Sequence, residues 1–540
     1  MLQLSQNALL AVLSPPDTTL RDCIEILPAS LHPLALEAQC TSIRKQHSLV
    51  LPDRHASCEA GHSHIRASIA AHSQLTSLSL GTRLLTFQNE DSLVFQASLS
   101  HLFLSLRNLR FLGLTLNSNA SASTSVISSM YCLTALHSLD VHGSGTATYD
   151  SCVLLMERCA KLASLRNLTL RSFSSIYDYQ SMLGFGFKLA ELTQLTHLQV
   201  YSFLSLEDGT SHPSGRSSPG PAMTKSSGGK LCSVALSELQ LLRSLKLKSS
   251  FTCVPVIRSL AALREMTSLS LTRSREANSR ENEEVDAAVC ASLLHLTRLV
   301  SLKLSGFCLQ DRIPIFTVGF GELKRRINSM SSFRSDPFAD LLWAIGSMAG
   351  LSRLSLDNVG IAVDGLVILL HVLGSLSRLE QLKLSDMRCF TFFDKDGAAE
   401  HQKFAVERLS GLRLKSLCLD NCGVTSAVLV DLAQQMSSMK VLTALSLRDN
   451  PKIGFEGADA LRDSLPCMLQ LRRLECTAAD LTPDGVQVIE AAVPICFGSD
   501  WKDCVDLKLH KLNQGGEGSS SSDDSDDEEQ MHRSRHHRTL

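Results

Sequence analysis

Aromatic side chains are scarce in this sequence: 5% of 540 residues, with two Trp and five Tyr. A surface that stacks bases, or one built on a hydrophobic hot spot, depends on such rings. Their scarcity, with Phe111 and Tyr201 the few at candidate binding-surface positions, argues against both a hydrophobic hot-spot interface and an RNA-stacking platform. Charge of one sign is also lacking. The formal net charge is −2, so no overall basic field recruits nucleic acid. No run of about 18 apolar residues occurs, and no membrane span is expected. The opening MLQLSQNALLAVL has no basic residue and a short apolar core, so no signal peptide is expected. None of the 17 cysteines forms a C-x-x-C pair, which argues against a disulfide framework and for a reducing compartment. The cytoplasm is the expected location, with the nucleus and a cilium or cytoskeletal structure as alternatives.

Catalytic motifs are missing as well. There is no G-x-S-x-G, no H-E-x-x-H and no G-x-G-x-x-G opening a helix after a strand. Gly228-Gly229-Lys230 is followed by Leu231 where a phosphate loop needs Ser or Thr for magnesium. His532 and His536 have metal-ligand spacing but no anchoring fold around them. No catalytic, cofactor-binding or metal-binding residue is assigned, and neither enzyme activity nor a cofactor is predicted.

What is present is a repeat, clearest from Leu442 to Leu461. Leu442, Leu445 and Leu447 make L-x-x-L-x-L, and Asn450 follows at the ninth position. The L-x-L alternation predicts a short strand with one buried face. Asn450 carries an amide able to satisfy backbone groups where the chain leaves the strand. Gly454 and Gly457 are expected to loosen the turn before a helix. Ala458, Leu461 and Leu465 then fall at helical spacing, turned back onto the strand.

The pattern recurs 13 times, starting at Leu75, Leu109, Leu136, Leu165, Leu195, Leu242, Met266, Leu299, Leu351, Leu379, Leu414, Leu442 and Leu471. Six of the 12 gaps span 27 to 30 residues. Near-constant spacing, rather than leucine content, marks an array whose units cover one another's apolar faces. The sequence resembles leucine-rich repeats, and its helix-length second half resembles the ribonuclease-inhibitor subtype. The resemblance implies an α/β horseshoe solenoid with a parallel concave sheet and convex helices. Asn117, Cys422 and Asn450 match the family at the ninth position; Phe173, Phe203, Phe307 and Met387 do not, and these apolar substitutes are expected to pack.

Three segments flank or interrupt the expected solenoid of residues 46–512. Residues 1–45 read as short helices punctuated by Pro15, Pro16, Pro28 and Pro33, a cap for the first repeat. Alternatively, Leu9, Leu10, Leu13, Pro16, Asp17 and Leu20 resemble an F-box spacing, without the Trp often found in its third helix. Residues 207–230 are rich in Ser, Gly and Pro, a composition that cannot bury enough surface to order itself. A second insertion is expected around 305–345, with Lys324, Arg325, Arg326 and Arg334 as a basic spot for an acidic partner or for the chain's own tail. Residues 46–51 are a candidate eroded strand, and Cys504, Leu507 and Leu509 a candidate final strand. Residues 513–540 form an acidic and then basic tail without apolar periodicity. Ser520, Ser521 and Ser525 each precede an acidic residue by three positions, a pattern for an acidophilic kinase.

The resemblance places ligands on the concave sheet. There, Arg171, Lys246, Lys248, Arg273 and Lys303 are expected to form a positive strip on the middle repeats. Asp357, Asn358, Asp386, Asp420, Asn421 and Asp449 are expected to form an acidic and amide strip on the later ones. Side chains at equal positions stack at about 5 Å per strand, and opposite strips favour a partner with the matching dipole. The expected function is a non-catalytic protein-binding scaffold whose partner occupies the concave face. Alternatives are an F-box-like substrate receptor whose residues 1–45 bind a ubiquitin-ligase adaptor, a regulator resembling Ran-GTPase-activating proteins, and a cytoskeletal or axonemal component.

Overall fold

The computed structural model describes residues 48–51, 69–70 and 74–80 and most of 92–476. Within the last span it leaves out 117–119, 144–148, 172–186, 202–232, 249–253, 274–278, 308–336, 362, 388–389 and 391–398. The expected segments 1–45, 207–230 and 513–540 lie outside the described residues, as does the candidate strand near Cys504.

Among the described residues one parallel sheet of 14 strands is formed, each strand paired to the next in sequence. The strands are β1 (Ser48–Leu51), β2 (Ser77–Leu80), β3 (Phe111–Leu116), β4 (Ser138–Gly143), β5 (Asn167–Arg171), β6 (His197–Tyr201) and β7 (Ser244–Lys248). They continue as β8 (Ser268–Thr272), β9 (Ser301–Ser305), β10 (Arg353–Asp357), β11 (Gln381–Ser385), β12 (Ser416–Cys418), β13 (Ala444–Ser446) and β14 (Arg473–Glu475). The eroded strand expected at 46–51 is therefore present as β1, paired to β2.

Helices lie between most successive strands. They are α1 (Ser92–Ser105), α2 (Ala120–Ser129), α3 (Tyr149–Lys161), α4 (Val254–Ser259) and α5 (Ser279–Leu293). Then come α6 (Pro337–Ser347), α7 (Val363–Leu373), α8 (Ala399–Ser410), α9 (Ser426–Gln435) and α10 (Phe455–Ser464). Residues 337–345, expected within the second insertion, instead form most of α6. Its Phe338, Leu341, Leu342 and Ile345 are buried, so this stretch is the regular helix of its repeat.

The leucines make the sheet and the core at once. Leu78, Leu112, Leu139, Leu168 and Leu198 align in register, and the row continues through Leu245 to Leu474. All are essentially buried. Burying one such side chain stabilises by about 1.5–3 kcal/mol, but only where the next repeat covers it. Backbone bonds link the same repeats. The Thr76 carbonyl accepts from both Arg110 and Phe111, and the Arg110 carbonyl accepts from both His137 and Ser138. This arrangement repeats along the array until the Thr443 carbonyl accepts from Arg472 and Arg473.

The late repeats show how the chain leaves each strand. Asn450 is fully buried. Its Oδ1 accepts from the backbone of Cys422 at 3.1 Å and Val424 at 3.0 Å. Its Nδ2 donates to the carbonyls of Leu419 and Leu447, both at 2.9 Å. Phe307, Met387, Val359 and Cys422 occupy the same position in other repeats and are buried, so the apolar substitutes pack. Asn117, Phe173 and Phe203 lie outside the described residues. Gly457 is not part of the turn but of α10. A Cβ there would sit 3.2 Å from the Ser426 backbone and 3.4 Å from Leu429, so the glycine lets two helices approach.

Candidate functional site

The two expected strips are built differently from one another. On each strand three alternate residues face away from the buried leucines, and the register lines them up across the sheet. On β5 to β7 these include Arg171, Tyr201, Lys246 and Lys248. Arg171 Nε donates to Asp140 Oδ1 at 3.2 Å and its Nη2 to Oδ2 at 3.1 Å, a two-pronged pair reaching back to β4. The same guanidinium lies 5.2 Å from the centre of the Tyr201 ring, and Lys246 Nζ lies 4.9 Å from it. The Tyr201 hydroxyl donates to Gln199 at 2.9 Å. Four strands thus hold one aromatic ring between two cations. Tyr201 stood out in the sequence as one of the few aromatics at such positions; Asp140, the partner of Arg171, was not singled out.

The positive strip is not continuous. Between Lys246 on β7 and Lys303 on β9, strand β8 presents Ser270. Arg273 does not join the strip. Its side chain is only 7% exposed and pairs with buried Asp286 of α5 at 3.4 Å. A guanidinium at the end of a strand is long enough to fold under the sheet, and a buried carboxylate there demands a cation. Strand spacing predicts the position but not the direction taken after the strand ends.

The acidic and amide strip has a backbone cause. Asn358, Asp386, Asn421 and Asp449 occupy one position, two residues after the second buried leucine. All four have positive φ, between 48° and 57°, and Gly306 at the same position has 79°. Only Gly, Asn and Asp enter this left-handed region readily. The conformation turns the N–H of Gly306, Asn358, Asp386 and Asn421 to the carbonyls of Asp357, Ser385, Asp420 and Arg448 on the next strands. A Cβ on Gly306 would run into the Arg273 carbonyl. The amide and acid types at this position therefore have a structural reason.

Their side chains also bond to one another. Asn421 Nδ2 donates to Asp386 Oδ1 at 2.5 Å. Asp420 Oδ1 accepts from Ser446 Oγ at 2.6 Å and from the Arg448 backbone at 3.0 Å. Arg448 Nε lies 3.0 Å from Glu475 Oε2 on β14. Asp357 accepts from Ser305 Oγ at 3.3 Å. Burial pushes its carboxyl above the usual range, Lys383 and Lys303 pull it down, and Asp386 pushes it up. Lys383 lies within the late repeats, and the sequence reading missed it. Its register between Ser355 and Cys418 was the available signal.

Among the described residues, no helix is long and apolar enough to cross a membrane. No group of three or more His, Cys, Asp or Glu among them could hold a metal ion.

No protein-family model matches the chain, and no curated protein sequence matches it. Solved structures do resemble it. An internalin of Listeria monocytogenes is 14% identical over 92% of this chain and 94% of its own, with a TM-score of 0.34. The yeast Rad7–Elc1 complex structure matches at 15% over 85% and 92%, with a TM-score of 0.41. The TLR13–ssRNA13 complex structure matches at 15% over 83% of this chain and 57% of that one, with a TM-score of 0.37. At such distances these likenesses say nothing of a ligand. The repeat train, the single parallel sheet and the helices between its strands make this chain a leucine-rich-repeat solenoid.

Proposed function

We propose that this chain is a non-catalytic protein-binding scaffold whose partner docks on the concave sheet around Tyr201. The observation that carries this reading is the ring held between Arg171 and Lys246, with Arg171 itself locked by Asp140. Tyr and Arg dominate the energetics of protein interfaces. A ring and a guanidinium already fixed by neighbours lose little freedom on binding. Lys248 beside them adds positive charge, which suits an acidic patch on the partner and speeds encounter.

We place the protein in the cytoplasm, a reading supported by its thiols. Cys132, Cys152, Cys159, Cys290, Cys422 and Cys476 are free and buried. Burial pushes Cys152 and Cys159 up to about 12, so both stay protonated as core residues. The readings as a ubiquitin-ligase receptor, a Ran-GTPase regulator or an axonemal component rest on residues 1–45 or on architecture alone.

The test is quantitative affinity capture from cell extract, comparing the native chain with Tyr201→Ala and with a control, Lys161→Glu on α3. The expected result is a set of proteins lost with Tyr201→Ala and retained by the control. Identical recovery with both variants would falsify the placement of the interface.

A further inference from the structure

The concave sheet also carries a lysine ladder that reaches beyond the Tyr201 cluster. Lys246, Ser270, Lys303, Ser355 and Lys383 occupy one register row on β7 to β11. Lysine and serine alternate, so the amines recur every second strand. At about 4.8 Å per strand, the row from Lys246 to Lys383 spans roughly 19 Å. The hydroxyl oxygens of Ser270 and Ser355 between them are buried, so the lysines are the polar groups this row offers. Arg353, exposed on β10, adds a cation to the same face. The nearby carboxylates are engaged within the sheet: Asp140 by Arg171, Asp420 by Ser446 and the Arg448 backbone, and Glu475 by Arg448 and Arg473. Asp357 lies beside the ladder, where Lys383 and Lys303 attract its carboxylate. The row therefore presents positive charge.

The chain contains a segment that matches this row. Asp523, Asp524, Asp526, Asp527, Glu528 and Glu529 put six carboxylates into seven residues around Ser525. Extended, seven residues span about 20 Å, close to the length of the ladder. From Cys476 at the end of β14 to Asp523 there are 46 intervening residues. The sheet distance from β14 back to β9 is five strands, roughly 24 Å, well within that reach. A tethered segment meets its site at a millimolar effective concentration.

We propose that the acidic run Asp523–Glu529 docks in cis on the Lys246–Lys303–Lys383 ladder. Phosphorylation of Ser525 adds charge to the centre of the run and tightens the contact. This inference deepens the concave-face reading and rests on it.

The test is zero-length carboxyl-to-amine cross-linking of the full chain, read by mass spectrometry on a mixture of light and heavy isotope-labelled protein. The expected result is light-to-light and heavy-to-heavy links from residues 523–529 to Lys246, Lys303 or Lys383, falling several-fold in 0.5 M salt because exposed charges are then screened. Links spread equally over Lys161, Lys415 and Lys440, or found only between light and heavy copies, would overturn the proposal. A second readout is cleavage within 523–529 by a Glu-specific protease. Cleavage is expected to speed up several-fold in the Lys246→Glu, Lys303→Glu, Lys383→Glu chain and to stay unchanged in Lys161→Glu; equal rates in all three chains would also overturn it. Should the triple variant fold poorly, the link map of the native chain decides. The contact needs no second protein, so its failure leaves the Tyr201 capture result standing, and the reverse holds too.

Discussion

Asn450 clamps Cys422 one repeat away, its side-chain oxygen accepting the Cys422 backbone N–H at 3.1 Å. The same oxygen serves Val424, while the amide nitrogen serves Leu419, Leu447 and Arg448. One buried side chain therefore replaces water for five backbone groups from two repeats. A solenoid holds together only through its neighbour interfaces, so this residue acts on the joint between two units.

Asn450→Ala should be strongly destabilising. Each buried backbone group left without a partner costs about 1–3 kcal/mol, partly relieved by relaxation. The expected loss is about 3 kcal/mol, read as a lower urea midpoint. Asn450→Asp keeps the acceptor but turns a carboxylate toward carbonyls, and it should lose at least as much. A loss under about 1 kcal/mol for both would reject the clamp.

The left-handed position separates a backbone role from a ligand role. Asn358→Gly should leave stability nearly unchanged, whereas Asn358→Val should cost about 1–2 kcal/mol. Gly306→Ala should be worse than either, because φ is 79° and the new Cβ meets the Arg273 carbonyl. Thermal melts of the three variants check the order. If Asn358→Gly abolishes partner capture while leaving the melt unchanged, the amide serves a ligand.

Two arginines from the expected strip should behave in opposite ways. Arg273 and Asp286 form a buried pair, with side chains 7% and 5% exposed. Removing one partner strands a charge and should cost about 3–5 kcal/mol. Arg171 and Asp140 are exposed at 48% and 28%, so Arg171→Ala should cost under about 1 kcal/mol. Denaturation midpoints distinguish the two, and similar losses would contradict the burial argument.

Asp357 makes a prediction about pH. Its carboxyl is held above the ordinary range, chiefly by burial, so the folded chain binds its proton more tightly than the unfolded chain. That contribution is fully present below the unfolded carboxyl's pKa and is lost as pH rises through the folded one. Asp357→Asn removes the carboxylate and should therefore raise stability at neutral pH, with the gain vanishing in acid below about pH 4. Urea midpoints across that range check it; a gain that grows toward acid would show the sign to be wrong.

The array was legible because its cause is local and periodic. Leu442, Leu445 and Leu447 declare a strand with one buried face, and 13 copies at similar spacing leave a solenoid as the way to cover those faces. Asn450 could be read for the same reason, since its amide acts within one unit and its neighbour. The helix α6 falls inside the expected second insertion because residues 308–336 separate it from the Leu299 motif of its own repeat, and only packing places it beside α5 and α7.

Side-chain direction and partnership were decided by tertiary structure. Arg171 and Arg273 look alike in the sequence, yet one stacks on Tyr201 and the other turns under the sheet to Asp286. Asn358, Asp386, Asn421 and Asp449 look like a strip of ligands, yet their residue types answer to a positive φ. Lys383 joins a row with Lys246 and Lys303 only through the strand register. The physical reason is common to all of these. A repeat's period is written in consecutive residues, whereas the sign and reach of a surface depend on residues 24 to 52 positions apart, which meet only when strands pair.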